Sequence, residues 1–358
     1  MSPGLSLLGV IVGVLSILYY ANQPASAPEM TGLYFDAEFW AAAGPLIAIR
    51  PPRKPTNALE LRARVNGGLA AIRKYALPDG IVETRHQVET LDGRTIALYQ
   101  FAAAAKADET NGTQQQQQQQ QPAFVYVHGG GIVGGDIDPY SRPLAAKAAQ
   151  EMGVAMFAVE YRLAPEFPYP TPVEDCYAAL EWLSRHARSL NVDPARIGFY
   201  ALSAGGGIAA GAAMMARDRR LSPPLAKQIL IYPMLDDRTR VLPDNPLSQF
   251  LTWTDASNRI GWTAYLGEEK VGGPDVPAYA APARATDVAG LPPTYIDVGG
   301  VDLFCAEAVA FAGRLAAANV PLEMHVYPGL PHIFDLYAPT IELTRRAIEN
   351  RLRAARSL

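Results

Sequence analysis

The chain has 358 residues, a formal net charge of −4 and 49% hydrophobic residues, which suits one large α/β domain with a cap, although the length also permits two ordinary domains. It contains no long basic run, so we exclude nucleic acid as a partner. The two cysteines, Cys176 and Cys305, are far apart and lack CxxC or Cys/His ligand spacing, which argues against a disulfide framework and a zinc site.

The N-terminal residues form an apolar segment. Residues 5–20 carry no charged side chain, and as a helix they would be about 24 Å long, slightly shorter than a bilayer span. No Lys or Arg precedes them, and residues 25–27 resemble a signal cleavage site. We predict that residues 1–28 are an anchor or signal-like segment that attaches the protein to a membrane. A cleaved signal or a buried cap helix remains an alternative, as does a secreted or cytoplasmic location.

The sequence pattern of residues 29–122 is not that of a parallel sheet. Residues 29–80 show helical apolar spacing and are predicted to form N-terminal cap helices. Residues 81–90 and 95–101 alternate in polarity around Asp92-Gly93, which predicts a β-hairpin at an antiparallel edge. Residues 102–122 contain an alanine run and a glutamine tract, and we predict that they are a disordered surface insertion.

From residue 123 onward, short apolar runs alternate with helical patterns. We predict strands at residues 123–127, 155–159, 197–201, 228–232, 294–298 and 322–327, and helices at residues 144–151, 173–190, 204–216, 306–318 and 340–355. Continuous apolar strands separated by helices are typical of a mostly parallel sheet with helices on both faces. Residues 235–291 break the alternation and are predicted to be a cap insertion within an α/β domain that spans residues 81–358.

Ser203 is the candidate nucleophile. A predicted strand ends at Ala201, one residue before Leu202-Ser203, and an alanine- and glycine-rich helical stretch begins at Ala204, which is the strand, nucleophile, helix order of a nucleophile elbow. A sharp turn there would lift the serine hydroxyl above the edge of the sheet, with small neighbours allowing close approach. The Ala204 amide, at the start of the helix, would then face a developing anion.

A glycine loop follows the first predicted parallel strand. His128 is followed by Gly129, Gly130 and Gly131, whose amides are unobstructed by side chains and suit an oxyanion hole. A phosphate-binding loop is the alternative. It is disfavoured because neither GxGxxG spacing nor a GKS or GKT sequence accompanies the loop.

His332 is the candidate general base that the serine needs. It follows the last predicted strand, at the sheet edge where catalytic residues of parallel sheets gather. The other histidines are interpreted as structural: they are His86, His128, His186 and His325.

Asp302 is the candidate acid. In a triad of this order the carboxylate follows the serine and precedes the histidine, and both Asp297 and Asp302 satisfy that order. We favour Asp302 because it lies in the loop beyond the predicted strand, whereas Asp297 lies within the strand.

Together these residues resemble the hormone-sensitive-lipase-like branch of the α/β-hydrolases, also called the HGGG or family IV esterases. The features that carry the resemblance are residues 128–131, the sequence YRLAPE at residues 161–166, SAGG at residues 203–206, DLF at residues 302–304, and Pro331-His332. The resemblance covers residues 80–358 and implies an α/β-hydrolase fold with a helical cap.

The resemblance also implies roles. It assigns the triad to Ser203, Asp302 and His332, and the oxyanion donors to Gly130, Gly131 and Ala204, with Gly129 in the same loop. Three positions depart from the family pattern: Ala201 replaces the first glycine of the elbow, for which we expect a shifted turn, and Leu202 and Ala306 replace polar residues. In the YRLAPE sequence, Arg162 and Glu166 are interpreted as salt-bridging structural residues.

The predicted function is hydrolysis of small-molecule carboxylic esters through an acyl-enzyme, without a metal or organic cofactor. The resemblance implies short- to medium-chain acyl groups. One alternative is a non-hydrolytic relative such as a dehydratase or ligand-binding receptor, which would typically lose a triad or oxyanion residue. Another is a membrane-anchored interaction module, which would need no triad. The oligomeric state is left open.

Overall fold

The computed structural model describes residues 32–48, 54–70, 77–104, 120–137, 141–242 and 244–358. Within these residues the strands are β1 Ile81–Glu89, β2 Thr95–Ala103, β3 Gln121–Val127, β4 Ala155–Val159, β5 Val192–Leu202, β6 Lys227–Ile231, β7 Thr294–Gly299 and β8 Leu322–Tyr327. The α-helices are α1 Ala37–Ala48, α2 Ala58–Ala70, α3 Arg142–Met152, α4 Thr171–His186, α5 Ala204–Asp218, α6 Asp255–Leu266, α7 Cys305–Ala317, α8 Phe334–Tyr337 and α9 Glu342–Arg356.

The eight strands described form one sheet in the order β1-β2-β4-β3-β5-β6-β7-β8. Neighbours from β4 to β8 are all parallel, so the predicted mostly parallel sheet is confirmed. Its central strands are mostly apolar, as in β3, where residues 122–127 are buried, because helices cover both faces. Helix α4 packs on α5, and α9 packs on α3. The predicted strands at 155–159 and 322–327 have the observed bounds.

The predicted hairpin forms the antiparallel edge of the sheet. Strands β1 and β2 pair antiparallel in an unbroken register from Ile81 opposite Ala103 to Glu89 opposite Thr95. The turn is closed by the Thr90 amide, which donates to the Arg94 carbonyl at 2.8 Å, and Gly93 adopts a φ of 74°. Glycine supplies this left-handed conformation without steric cost.

The prediction of an insertion at residues 102–122 is wrong at both ends. Ala102 and Ala103 extend β2 and pair with β1, while Gln121 and Pro122 begin β3. Backbone pairing needs no apolar side chain, and proline is tolerated in the first positions of a strand; the sequence pattern therefore missed these residues. Residues 105–119, which include most of the glutamine tract, lie outside the described residues.

Helices α1 and α2 lie within the region predicted to form the N-terminal cap. Near α1, the rings of Phe35 and Trp40 meet Phe250 of the predicted cap insertion, with centroid distances of 4.7 and 5.9 Å. The segment predicted as an anchor, residues 1–28, lies outside the described residues. In the part of the chain that is described, no helix is long and apolar enough to cross a membrane.

The predicted cap insertion lies between β6 and β7. Besides α6 it contains two short 3₁₀ helices, Pro246–Gln249 and Pro282–Arg284. Glu307 of α7 holds its first residues: the amides of Leu235 and Asp236 donate to Glu307 Oε1 at 2.5 and 3.3 Å, and the Thr239 hydroxyl donates to Oε2. Glu307 is buried, and burial raises its pKa well above the usual range.

We expect Glu307→Gln to stabilise the protein at alkaline pH. Because the folded pKa exceeds the unfolded one, the folded state favours the protonated acid, and stability is lost as pH rises from the unfolded pKa of about 4.3 through the folded value. A glutamine can accept the same two amide bonds and cannot ionise. The Tm of the variant should exceed that of the wild type by a few degrees at pH 8, with little difference near pH 4.

The matched control is Glu269→Gln, because Glu269 is exposed. Its Tm should follow the wild type at every pH. A Glu307→Gln variant that is less stable than the wild type at pH 8, measured by differential scanning fluorimetry, would show that the ionised carboxylate stabilises the fold.

Candidate active site

Ser203 lies in a sharp turn between β5 and α5. Its backbone has a φ of 55° and a ψ of −123°, a sparsely populated conformation that surrounding contacts must hold in place. The Ser203 amide donates to the Ile231 carbonyl at 2.9 Å, and the Ser203 carbonyl accepts from Gly206 and Met234 at 2.9 and 3.0 Å. These bonds tie the turn to the end of β6.

Small residues beneath Ser203 are a steric requirement. A Cβ on Gly205 would lie 2.3 Å from the Val127 carbonyl oxygen, and one on Gly207 would lie 2.1 Å from the Met234 carbonyl oxygen. Ala201, for which we expect a shifted turn, pairs in regular register with Val127 and Leu230. An alanine therefore fits at the first elbow position without breaking the sheet.

The structure brings Ser203, His332 and Asp302 together. Ser203 Oγ lies 2.9 Å from His332 Nε2, and His332 Nδ1 lies 2.8 Å from Asp302 Oδ2. All three residues are buried. A neutral imidazole protonated at Nδ1 would donate to Asp302 and accept the Ser203 hydroxyl proton at Nε2, which is the hydrogen-bond order that activates a serine.

Neighbouring groups fix this arrangement. Asp302 Oδ1 accepts the Phe304 amide at 2.9 Å, and the Thr252 hydroxyl donates to the His332 carbonyl at 2.7 Å. The rings of Tyr232 and Phe304 stand edge-on to the imidazole, at 4.8 and 5.0 Å between centroids. The sequence analysis missed these supports, because apart from the nearness of Phe304 to Asp302 no local pattern links them to Ser203, His332 and Asp302.

The rejected alternative Asp297 belongs to a different cluster. It lies in β7 and is buried, and its carboxylate accepts Arg351 Nε at 2.6 Å and Nη2 at 3.0 Å. Arg351 Nη1 also donates to Asp335 at 2.5 Å, and the Tyr232 hydroxyl donates to the same carboxylate at 3.1 Å. The cluster therefore lies behind Tyr232, whose ring meets His332.

His128 supports the glycine loop. It is fully buried, its Nδ1 lies 2.7 Å from the Gly129 carbonyl oxygen, and its ring stacks on Tyr161 at 4.2 Å. Burial lowers the pKa of His128 to about 4, so the ring is neutral at pH 7 and donates from Nδ1. The remaining histidines lie elsewhere: His86 bonds Gln100, His186 bonds the Trp182 carbonyl, and His325 bonds Glu323.

The glycine loop lies directly beside Ser203. A Cβ on Gly129 would approach Ser203 Cβ to 3.0 Å, and Gly130 and Gly131 have φ values of 121° and 65°. Among the described residues, no backbone carbonyl accepts the amides of Gly130, Gly131 or Ala204. These amides are therefore available to an oxyanion formed at Ser203.

A segment of the predicted cap insertion closes over this loop. The Trp253 indole lies where a Cβ on Gly131 would be, 2.4 Å from its Cη2 atom, and a Cβ on Gly261 of α6 would lie 2.7 Å from the Gly131 carbonyl oxygen. Since Thr252 bonds the backbone of His332, residues 252 and 253 reach from the histidine to the glycine loop. In the described part of the chain, no cluster of three or more His, Cys, Asp or Glu residues could hold a metal.

We expect Gly131→Ala to lower kcat/KM for an ester by about 100-fold, because a shift of about 1 Å in the amides predicted to be oxyanion donors has an effect of that order. The matched control is Gly153→Ala: Gly153 has a φ of 69° and no atom within 4 Å of its Cβ position. Both variants carry the same backbone strain, and only Gly131→Ala displaces Trp253. Equal kinetics in the two variants would refute this steric argument.

Arg162 and Glu166 are both salt-bridged, as predicted, but to other residues and not to each other. Arg162 pairs with Asp175 at 2.7 Å and with Asp92 at 2.8 Å, and the Arg162 bonds lower the pKa of Asp92 below its usual range. Glu166 pairs with Arg62 of α2 at 2.6 Å.

Comparisons with known proteins give one consistent result. A family model described as the alpha/beta hydrolase fold matches residues 124–336. Esterase LipI of Mycobacterium tuberculosis is 37% identical over 237 residues, which are 66% of this chain and 72% of that protein. Carboxylesterase NlhH of the same species is 35% identical over 234 residues, covering 63% of this chain and 70% of the relative. The solved structure of a bacterial heroin esterase superposes with a TM-score of 0.76 at 35% identity, covering 90% of this chain and 97% of that one.

Proposed function

We infer, from the premise that this chain belongs to the alpha/beta hydrolase fold family, that it is a serine carboxylester hydrolase. The observation that carries the inference is the buried hydrogen-bond path from Ser203 through His332 to Asp302, next to three amides that donate to no backbone carbonyl of the described residues. The relatives named esterase and carboxylesterase support the same reaction. They give no support to the non-hydrolytic alternative.

In the proposed mechanism, Ser203 Oγ attacks the ester carbonyl carbon while His332 Nε2 takes the hydroxyl proton. Asp302 holds the imidazole through Nδ1 and stabilises its positive charge. The amides of Gly130, Gly131 and Ala204 bind the oxygen of the tetrahedral intermediate. His332 then gives its proton to the leaving alcohol, and a water molecule, activated by the same histidine, releases the carboxylic acid from the acyl-enzyme.

The proposed substrates are small-molecule esters with short- to medium-chain acyl groups. Family resemblance supports this range, and so does the aromatic cover that Trp253 provides over the glycine loop. Association with a membrane through residues 5–20 is a separate proposal, supported by their uncharged sequence. Alkaline carbonate extraction of cell membranes tests it, since an anchored chain stays in the pellet and a peripheral one is released.

The test of the enzymatic proposal is covalent labelling combined with an ester series. A fluorophosphonate should modify the full-length protein once, at Ser203, as read by mass spectrometry of peptides. Excess p-nitrophenyl butyrate should slow that labelling. Hydrolysis of p-nitrophenyl esters from acetate to dodecanoate should be fastest among the shorter chains. A folded protein that neither reacts with the probe nor hydrolyses any of these esters would refute the proposal.

A further inference from the structure

We propose that Arg62 and Asn66, on one face of α2, are positioning residues that hold the oxyanion loop in its active geometry. The inference rests on the proposed esterase function. If α2 positions this loop, it affects the rate of catalysis and does not only form part of the predicted N-terminal cap. The two residues are four positions apart, so their side chains project from the same side of the helix.

Arg62 joins the two loops that follow β3 and β4. Its Nε donates to the Val133 carbonyl at 2.5 Å, and its Nη2 donates to the Ala164 carbonyl at 2.7 Å. The Ala164 amide in turn donates to the Ile132 carbonyl at 3.1 Å. The planar guanidinium is held in this orientation by Glu166, which accepts Nη1 at 2.9 Å and Nη2 at 2.6 Å. Such a fork fixes geometry better than a single charge contact does.

Asn66 makes the second attachment, one helical turn later. Its Oδ1 accepts the Gly135 amide at 2.9 Å, and it lies 3.0 Å from the Cβ position of Gly134. These contacts fix residues 133–135, the segment directly behind the glycines beside Ser203.

Residues 133–135 are packed too tightly against that loop to move alone. A Cβ on Gly130 would lie 2.0 Å from the Gly134 carbonyl oxygen, and one on Gly135 would lie 2.2 Å from the Gly129 carbonyl oxygen. The amides of Val133 and Gly134 also donate to the Gly130 carbonyl at 3.3 and 3.1 Å. A displacement of residues 133–135 is therefore passed to Gly130 and Gly131.

Oxyanion donors act only when they are preorganised to within about 0.5 Å. Loss of the attachment should thus reduce transition-state stabilisation more than substrate binding. We expect Arg62→Met to lower kcat for p-nitrophenyl butyrate about 10- to 100-fold and Asn66→Ala about 3- to 10-fold, with KM changed less than threefold. Glu166→Gln, which keeps both carbonyl contacts of Arg62, should lose less activity than Arg62→Met.

The experiment measures kcat per competent active site in the full chain, with sites counted by the p-nitrophenol released on stoichiometric reaction with paraoxon. The matched control is Arg64→Met, because Arg64 is an exposed arginine on the same helix. A trifluoromethyl ketone, whose adduct with the serine carries an oxyanion, supplies the second readout. Its inhibition constant should rise across the variants in proportion to the loss of kcat/KM.

An unchanged kcat per titrated site in Arg62→Met, or a loss confined to KM, would overturn the positioning role while leaving the esterase proposal intact. A lower Tm with normal turnover of the remaining sites would show a purely structural role and would equally overturn it. If wild type and Arg64→Met both fail to hydrolyse esters or to react with paraoxon, the proposed function itself fails.

Discussion

Replacing His332 with alanine is expected to lower kcat for p-nitrophenyl butyrate by about 10⁴-fold or more, with a much smaller change in KM. Without the imidazole, the hydroxyl of Ser203 loses the acceptor that lies 2.9 Å from it, and the leaving alcohol loses its proton donor. Because Ser203 and His332 act as one unit in the proposed mechanism, the Ser203→Ala/His332→Ala double variant should be no less active than Ser203→Ala alone.

Steady-state kinetics of the two single variants and the double variant test this non-additivity. The matched control is His186→Ala, which removes an exposed histidine whose Nδ1 bonds a backbone carbonyl; its kinetics should equal those of the wild type. Losses that multiply in the double variant would contradict a joint role of the serine and the histidine.

Replacing Arg351 with methionine is expected to destabilise the protein by about 3–5 kcal/mol, since the change leaves the buried Asp297 carboxylate and the partly buried Asp335 carboxylate without their cation. Arg351 is buried and pairs with Asp297 and Asp335 at 2.6 and 2.5 Å. Burial raises the pKa of Asp297 while the nearby guanidinium opposes that effect. Urea unfolding of the variant at pH 7 measures the loss.

Two companion variants sharpen this prediction. Arg353→Met removes an arginine of the same helix that pairs with Glu323 and is 59% exposed, so it should cost less than about 1 kcal/mol. The triple variant Arg351→Met/Asp297→Asn/Asp335→Asn should recover part of the stability, because the unpaired charges are gone. A single Arg351→Met variant as stable as Arg353→Met would contradict the argument.

The parts of this fold that the sequence predicts well are those with local signals. An apolar run that ends at a serine followed by small residues marks the turn at Ser203. The order serine, aspartate, histidine admits both Asp297 and Asp302, and the position of Asp302 in the loop beyond the predicted strand selects it. The parallel order follows from alternating strands and helices. Two of the predicted strands have the observed bounds: Glu160 follows the first, and Pro321 and Pro328 flank the second.

The rest depends on contacts between residues distant in the chain. Arg62 and Glu166 are 104 positions apart, so nothing near Glu166 shows that its partner lies on α2 and not at Arg162. Tyr232 and Phe304 contact His332 because β6, β7 and β8 are neighbours in the sheet, and these residues are far apart in the sequence. The strand pairing of Ala102, Ala103 and Gln121 is made by the backbone, so the side-chain pattern places these residues in the insertion.

The crowding beneath Ser203 also separates the glycines of this protein that cannot be mutated to alanine from those that can. Gly205 and Gly207 have carbonyl oxygens where a methyl group would go, whereas Gly313 on α7 has open space there. Alanine at such an open helical position typically adds about 0.5–1 kcal/mol of stability by restricting the unfolded chain. A search for heat-tolerant catalysts should therefore draw its mutations from the outer helical surfaces and leave the turn at Ser203 untouched.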